Sequence, residues 1–163
     1  MHSRCARAAL SIGAGLAFAT AMHTRAAADP RTDSLNTALR QAKFTVVGTV
    51  TETRPSRRRS SWGDVIIVTT AIVRTDEALR GSPPSWVPLE VEGGTIDGLT
   101  MEASHTPLTK RGDRAVFLVD QLSDGRFVAH GRGNGVLQLR PDDRIADSEL
   151  TLNDVRRLAQ EAR

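Results

Sequence analysis

Apolar positions along the chain recur at two spacings, one helical and one extended. From Ser34 to Ala42, Leu35, Ala38, Leu39 and Ala42 fall at i, i+3, i+4 and i+7, with Thr32 or Asp33 in place as N-cap, which predicts a short leading helix. Phe44 to Thr53 is rich in β-branched residues and sets Phe44, Val46 and Val50 on one face, which predicts the first strand. Gly48 inside it marks a bulge or sharp bend of the kind a small coiled barrel needs. Arg54 to Ser61 breaks the pattern and is expected to be an exposed basic loop. The run VIIVTTAIV (Val65 to Val73) is apolar on both faces over its first half, as in a strand covered on two sides. Asp76 to Gly81 predicts a single turn closed by the glycine. Trp86 to Glu92 alternates, with Val87, Leu89 and Val91 inward and Glu90 and Glu92 outward.

The remaining elements follow the same logic. Gly93-Gly94 and Gly98 bracket a connection, and Leu99 to Ala103 is expected to form a short strand. Ala115 to Val119 is apolar on both faces. Asp124-Gly125 separates it from Phe127 to Ala129, and an Asp-Gly pair between apolar runs is a strong hairpin signal. Val136 to Leu139 is a last strand. Thr151 then caps a helix with Leu152, Val155, Leu158, Ala159 and Ala162 on one face, and Asp154 at N3 approximates a capping box. No helix-length segment separates successive strands, which fits a small, mostly antiparallel barrel better than a parallel α/β sheet. The expected fold is mainly β, a small antiparallel OB-like β-barrel with a short N-terminal helix and a C-terminal helix.

The amino-terminal pattern changes the picture of charge and chemistry. Arg4 and Arg7, an apolar stretch from Ala8 to Met22 and Ala26-Ala27-Ala28 follow the order of a secretory leader cleaved before Asp29. The apolar stretch is shorter than the ~20 residues of a membrane span and is interrupted by Gly13, Gly15 and Thr20, so no stable membrane anchor is expected after cleavage. The expectation is an exported protein, periplasmic or extracellular, with one domain over residues 29–163. Losing Arg4, Arg7 and Arg25 from the 22 basic residues leaves 19, equal to the 19 acidic ones, so the +3 formal charge leaves with the leader. A neutral mature chain has no global basic field, and no nucleic-acid partner is expected. The single cysteine, Cys5, leaves as well. Disulfides, thiolate catalysis and Cys-ligated zinc are thereby excluded, and packing alone must hold the fold.

Catalytic and metal candidates reduce to His105 and His130. Two histidines outside an H-E-x-x-H arrangement leave only a two-His-plus-carboxylate site open. They are read as turn and strand-end histidines, so no catalytic residue, metal or cofactor is assigned. A small hydrolase using His105 or His130 with a carboxylate is the alternative. The glycines at 131, 133 and 135 are read as a bulged turn that needs positive φ, not as a phosphate loop. Arg111-Gly112-Asp113 is read as the turn into the Ala115 strand. The candidate binding residues are Arg54, Arg57, Arg58, Arg59 and Trp62, where local positive charge adjoins an aromatic ring; an anionic surface polymer is the ligand this combination fits.

The order AKFTVVGTVTET, a strand ending in DEALRG, WVPLEVEGG, and KRGDRAVFLV with a glycine turn into GRFVAHG resembles a set of uncharacterised secreted bacterial proteins. More distantly it resembles the OB-like netrin module of the tissue inhibitors of metalloproteinases, over Leu35 to Leu139. The resemblance implies a non-enzymatic binding or interaction domain with a protein partner, regulating or accompanying a secreted protease. The inhibitors' zinc-chelating amino-terminal cysteine has no counterpart, because the expected mature terminus is Asp29-Pro30.

Overall fold

Residues 44–50 are almost wholly buried on both faces of one strand, and the architecture is built around that segment. The computed structural model describes residues 30–60, 62–103 and 109–162. The expected leader at 1–28, with Cys5, and His105 lie outside the described residues. Helix α1 (Pro30–Gln41) leads into strand β1 (Phe44–Arg59), which pairs antiparallel with β2 (Val65–Arg80) from Thr45↔Arg80 to Arg59↔Val65. Next come β3 (Trp86–Glu92), a small hairpin of β4 (Gly94–Ile96) and β5 (Leu99–Met101), then β6 (Arg114–Gln121) and β7 (Phe127–Ala129). A single 3-10 turn at His130–Gly133, strand β8 (Val136–Gln138) and helix α2 (Leu152–Glu161) complete the chain.

The strands run β1-β2-β3-β7-β6, and β6 returns to pair with β1, so the sheet curls into a barrel-like ring. All these pairings are antiparallel except β3 with β7, which is parallel and covers only Leu89 and Glu90. This is the OB-like arrangement expected from the pattern. Inside the ring, Val46, Val50, Val73, Leu89, Phe117 and Val119 form one core. On the outer face of β1 and β6, Val47, Val116 and Leu118 form a second core with Leu39 of α1 and Leu152, Val155 and Leu158 of α2. Two cores explain why Ala115 to Val119 is apolar on both faces. Helix α2 starts with the predicted capping box: Asp154 N–H donates to Thr151 Oγ1 and Thr151 N–H to Asp154 Oδ2.

Two expectations are corrected. The basic segment Arg54–Arg59 is not a loop but the far half of β1, and the chain turns only at Ser60–Asp64. The ladder to the β-branched Val65–Thr70 run of β2 overrides the weak strand propensity of arginine and proline. Beyond Val50, β1 pairs with β2 on one side and has no strand on the other among the described residues. Pro55, without an N–H, and the flanking arginines suit such an edge and discourage further strand pairing. The expected turn at Asp76–Arg80 is likewise strand, pairing through bulges with the start of β1. Gly81, at φ +75, ends it.

Gly48 sits beside a register shift between Val47 and Gly48, as its place in the strand predicted. The Leu99–Met101 strand and the Asp124-Gly125 hairpin form as expected. None of the helices among the described residues is long and apolar enough to cross a membrane.

Candidate binding groove

Helices cover only part of the barrel's outer surface. The first half of β2, with β3 and β7, has an outer face that α1 and α2 do not reach, and there lies an open groove of about 750 Å³. That size falls within the range of small-ligand and peptide sites. Ile66 and Val68 of β2 and Val128 of β7 give it an apolar floor. The β1–β2 turn forms one rim and the β6–β7 connection, with Leu122 and Arg126, the other. In OB folds the same face, between the equivalent loops, carries ligands.

The β1–β2 turn is held by Ser60. Its Oγ accepts the N–H groups of Trp62 and Asp64, both at 3.2 Å, and its N–H donates to the Asp64 carbonyl at 2.8 Å. This braced turn projects Trp62, whose surface is 89% exposed. The ring therefore does not plug the barrel. An indole of that size held in water on a braced turn is surface available for contact.

Across the floor runs a charge network that ties the two rims together. Glu90 accepts a bidentate pair from Arg58, at 2.7 and 2.8 Å, and a third bond from Arg126 at 2.8 Å. Arg126 also donates to Asp124 through Nε at 2.8 Å. Glu90 belongs to the wet face of β3 that strand alternation predicted, yet its side chain is only 13% exposed. Hydrogen bonds from Arg58, and then from Arg126, hold its carboxyl below the ordinary glutamate range despite the opposing effect of burial.

A depressed carboxyl stabilises the fold above its unfolded value of about 4.3, and that contribution is lost as pH falls through the folded value. Glu90→Gln should cost about 1–2 kcal/mol at neutral pH, since two arginines lose a charged acceptor at a partly solvated site. In urea titrations, the stability gap between the parent and Glu90→Gln should narrow below about pH 4. A gap independent of pH would show that charge at Glu90 is not what matters.

The structure brings together three of the five sequence candidates. Arg58, Arg59 and Trp62 line the groove. Arg54 is held outside it by Glu52, at 2.7 and 2.9 Å, and Arg57 pairs with Asp97 on the β4–β5 turn at 3.2 Å. The segment is therefore not a free basic patch: three of its four arginines hold carboxylates, and Arg59 bonds the Gly63 carbonyl. Glu90 and Arg126 were not singled out from the sequence. Only curling of the sheet brings them to Arg58, although alternation in β3 had placed Glu90 outward.

His130 does not stand alone. Its Nδ1 lies 2.9 Å from Asp120 Oδ2, at the end of the groove where Asp120, Gly131 and Gly133 contribute to the lining. Gly131 and Gly133 take φ of +60 and +103, the turn conformation expected of them, but Gly135 does not take positive φ. A side chain there would instead meet the Leu118 carbonyl at 2.7 Å, so close approach of backbone is what that glycine allows. Gly112 of the Arg-Gly-Asp tripeptide, at φ +92, lies in a turn where Asp113 Oδ2 accepts the Lys110 N–H, so that carboxylate is engaged locally. Among the described residues no three His, Cys, Asp or Glu side chains cluster to hold a metal. Comparison with known proteins finds no matching family model and no matching curated protein.

Proposed function

We propose that the chain is an exported, non-enzymatic binding domain that holds a protein segment in the groove on the β2–β3–β7 face. The observation that carries this reading is the groove itself, on the face that the helices leave bare, with a fully presented tryptophan on one rim and arginines fixed by Glu90 across its floor. Tryptophan and arginine dominate the energetics of protein interfaces, and an apolar floor ringed by satisfied polar groups is how such sites are built. The resemblance to the netrin module makes a secreted protease the first partner to assay.

Immobilised mature chain should retain a partner that Trp62→Ala loses by about tenfold or more in affinity, with an unchanged melting temperature, because the ring contributes almost no burial to the fold. Equal retention by the Trp62→Ala chain would remove the groove from the function.

One contact favours a second reading. The Asp120–His130 pair is the carboxylate-and-histidine half of a hydrolytic site. Ser60, a hydroxyl in the groove lining, already accepts two backbone N–H groups in the turn. Turnover of peptide or ester substrates that is abolished by His130→Gln would select the hydrolase.

A further inference from the structure

Charge left over in the groove points to the chemistry of its occupant. Of the charged side chains lining it, Arg58 and Arg126 are spent on Glu90 and Asp124. Asp64 and Glu92 are exposed and have no ion-pair partner among the described residues, and Asp120 faces His130. Arg59 is the one lining arginine without a carboxylate partner among the described residues. The unspent field is therefore negative, opposite to what the run of arginines in the sequence implied.

Backbone geometry adds a second constraint. Strand β3 continues through Val91 and Glu92, two residues past its last pair with β7, and both line the groove. An extended chain laid across this face sets alternate side chains toward the apolar floor of Ile66, Val68 and Val128. The outward alternates meet Asp64, Glu92 and the face of Trp62, which attracts cations through its π system.

We propose that the groove takes an extended basic peptide segment, Lys or Arg alternating with aliphatic residues, laid along the end of β3. This rests on the groove being the binding surface. The test uses the mature chain with four fluorescent probes: short end-capped peptides alternating Lys with Val, Glu with Val and Gln with Val, and inorganic polyphosphate.

The expected result is binding of the Lys–Val peptide above the other three, weakening with salt. Asp64→Asn combined with Glu92→Gln should weaken it roughly three- to tenfold, since each exposed ion pair contributes modestly. Trp62→Ala should weaken it too, and neither variant should shift the melting temperature. Preference for the Glu–Val peptide or polyphosphate, lost in Trp62→Ala, would keep the groove and overturn the basic occupant. Equal binding of the Lys–Val and Gln–Val peptides would overturn it as well. Binding of the Lys–Val peptide that ignores all three substitutions, or no Trp62-dependent binding by any probe, would overturn the groove reading with it.

Discussion

Phe117→Ala should lower the unfolding free energy of the domain by about 3–5 kcal/mol, the cost of emptying a fully buried aromatic site. Phe117 is 1% exposed and lies within the ring's core, on the strand that pairs with β1, β7 and β8. Its cross-strand partners are Val46 of β1 and Val136 of β8, so the cavity would open where three strands meet. With a single cysteine in the sequence, Cys5, no disulfide within the chain would limit the loss. Denaturant melts followed by circular dichroism should show it, with a melting temperature about 10 °C or more lower. Phe117→Leu keeps most of the volume and should cost less than about 1.5 kcal/mol. A loss under about 1 kcal/mol for the alanine variant would mean that the ring is not the centre of the core.

Gly48→Ala is expected to cost about 1–3 kcal/mol by overpacking. A methyl group there would overlap Val73 Cγ1 and lie 2.8 Å from the Arg74 carbonyl oxygen, both on the paired strand β2. Val73 is itself fully buried and has nowhere to retreat. The cause can be separated from simple strand propensity by a double-mutant cycle. In a Val73→Ala background the overlap with the side chain disappears and only the close carbonyl remains, so the penalty of Gly48→Ala should shrink by at least about 0.5 kcal/mol. Additive effects would place the role of Gly48 in the backbone alone. The position matters because Gly48 lies at a bulge where β1 bends to pair with β2 on one side and β6 on the other.

Most elements were legible because their signals are local. Alternation from Val87 to Val91 predicts which side chains are buried, and the Asp124-Gly125 turn joins the strands it separates. Thr151 and Asp154 cap the last helix as their spacing requires. The misread segments, Arg54–Arg59 and Asp76–Arg80, share one physical cause. Each has poor strand propensity and becomes strand by pairing with a strand-forming partner, Arg54–Arg59 across the hairpin with Val65–Thr70 and Asp76–Arg80 with the start of β1.

The site was legible only in part, for a related reason. Trp62 and the arginines stood out as a local excess of charge beside an aromatic ring, and the structure sets Trp62, Arg58 and Arg59 in the groove. What a charge run cannot reveal is what each charge faces. Glu52 takes up Arg54, Asp97 takes up Arg57 and Glu90 takes up Arg58, and the last two acids lie on later strands or turns.

By itself the sequence determined a mainly β chain with a helix at each end, the faces that each strand buries, the Gly48 bulge and the Asp-Gly hairpin. It did so because backbone propensity, side-chain alternation and turn chemistry act over a few residues. Tertiary structure alone decided that the basic segment is strand, that Trp62 faces water, that Asp120 meets His130, and that Glu90 joins Arg58 to Arg126. Those outcomes depend on which strands pair and where the chain turns: β1 with β2 across the turn that Ser60 braces, β6 with β7, and β3 between β2 and β7. Contacts between strands are set by that pairing and not by any local pattern.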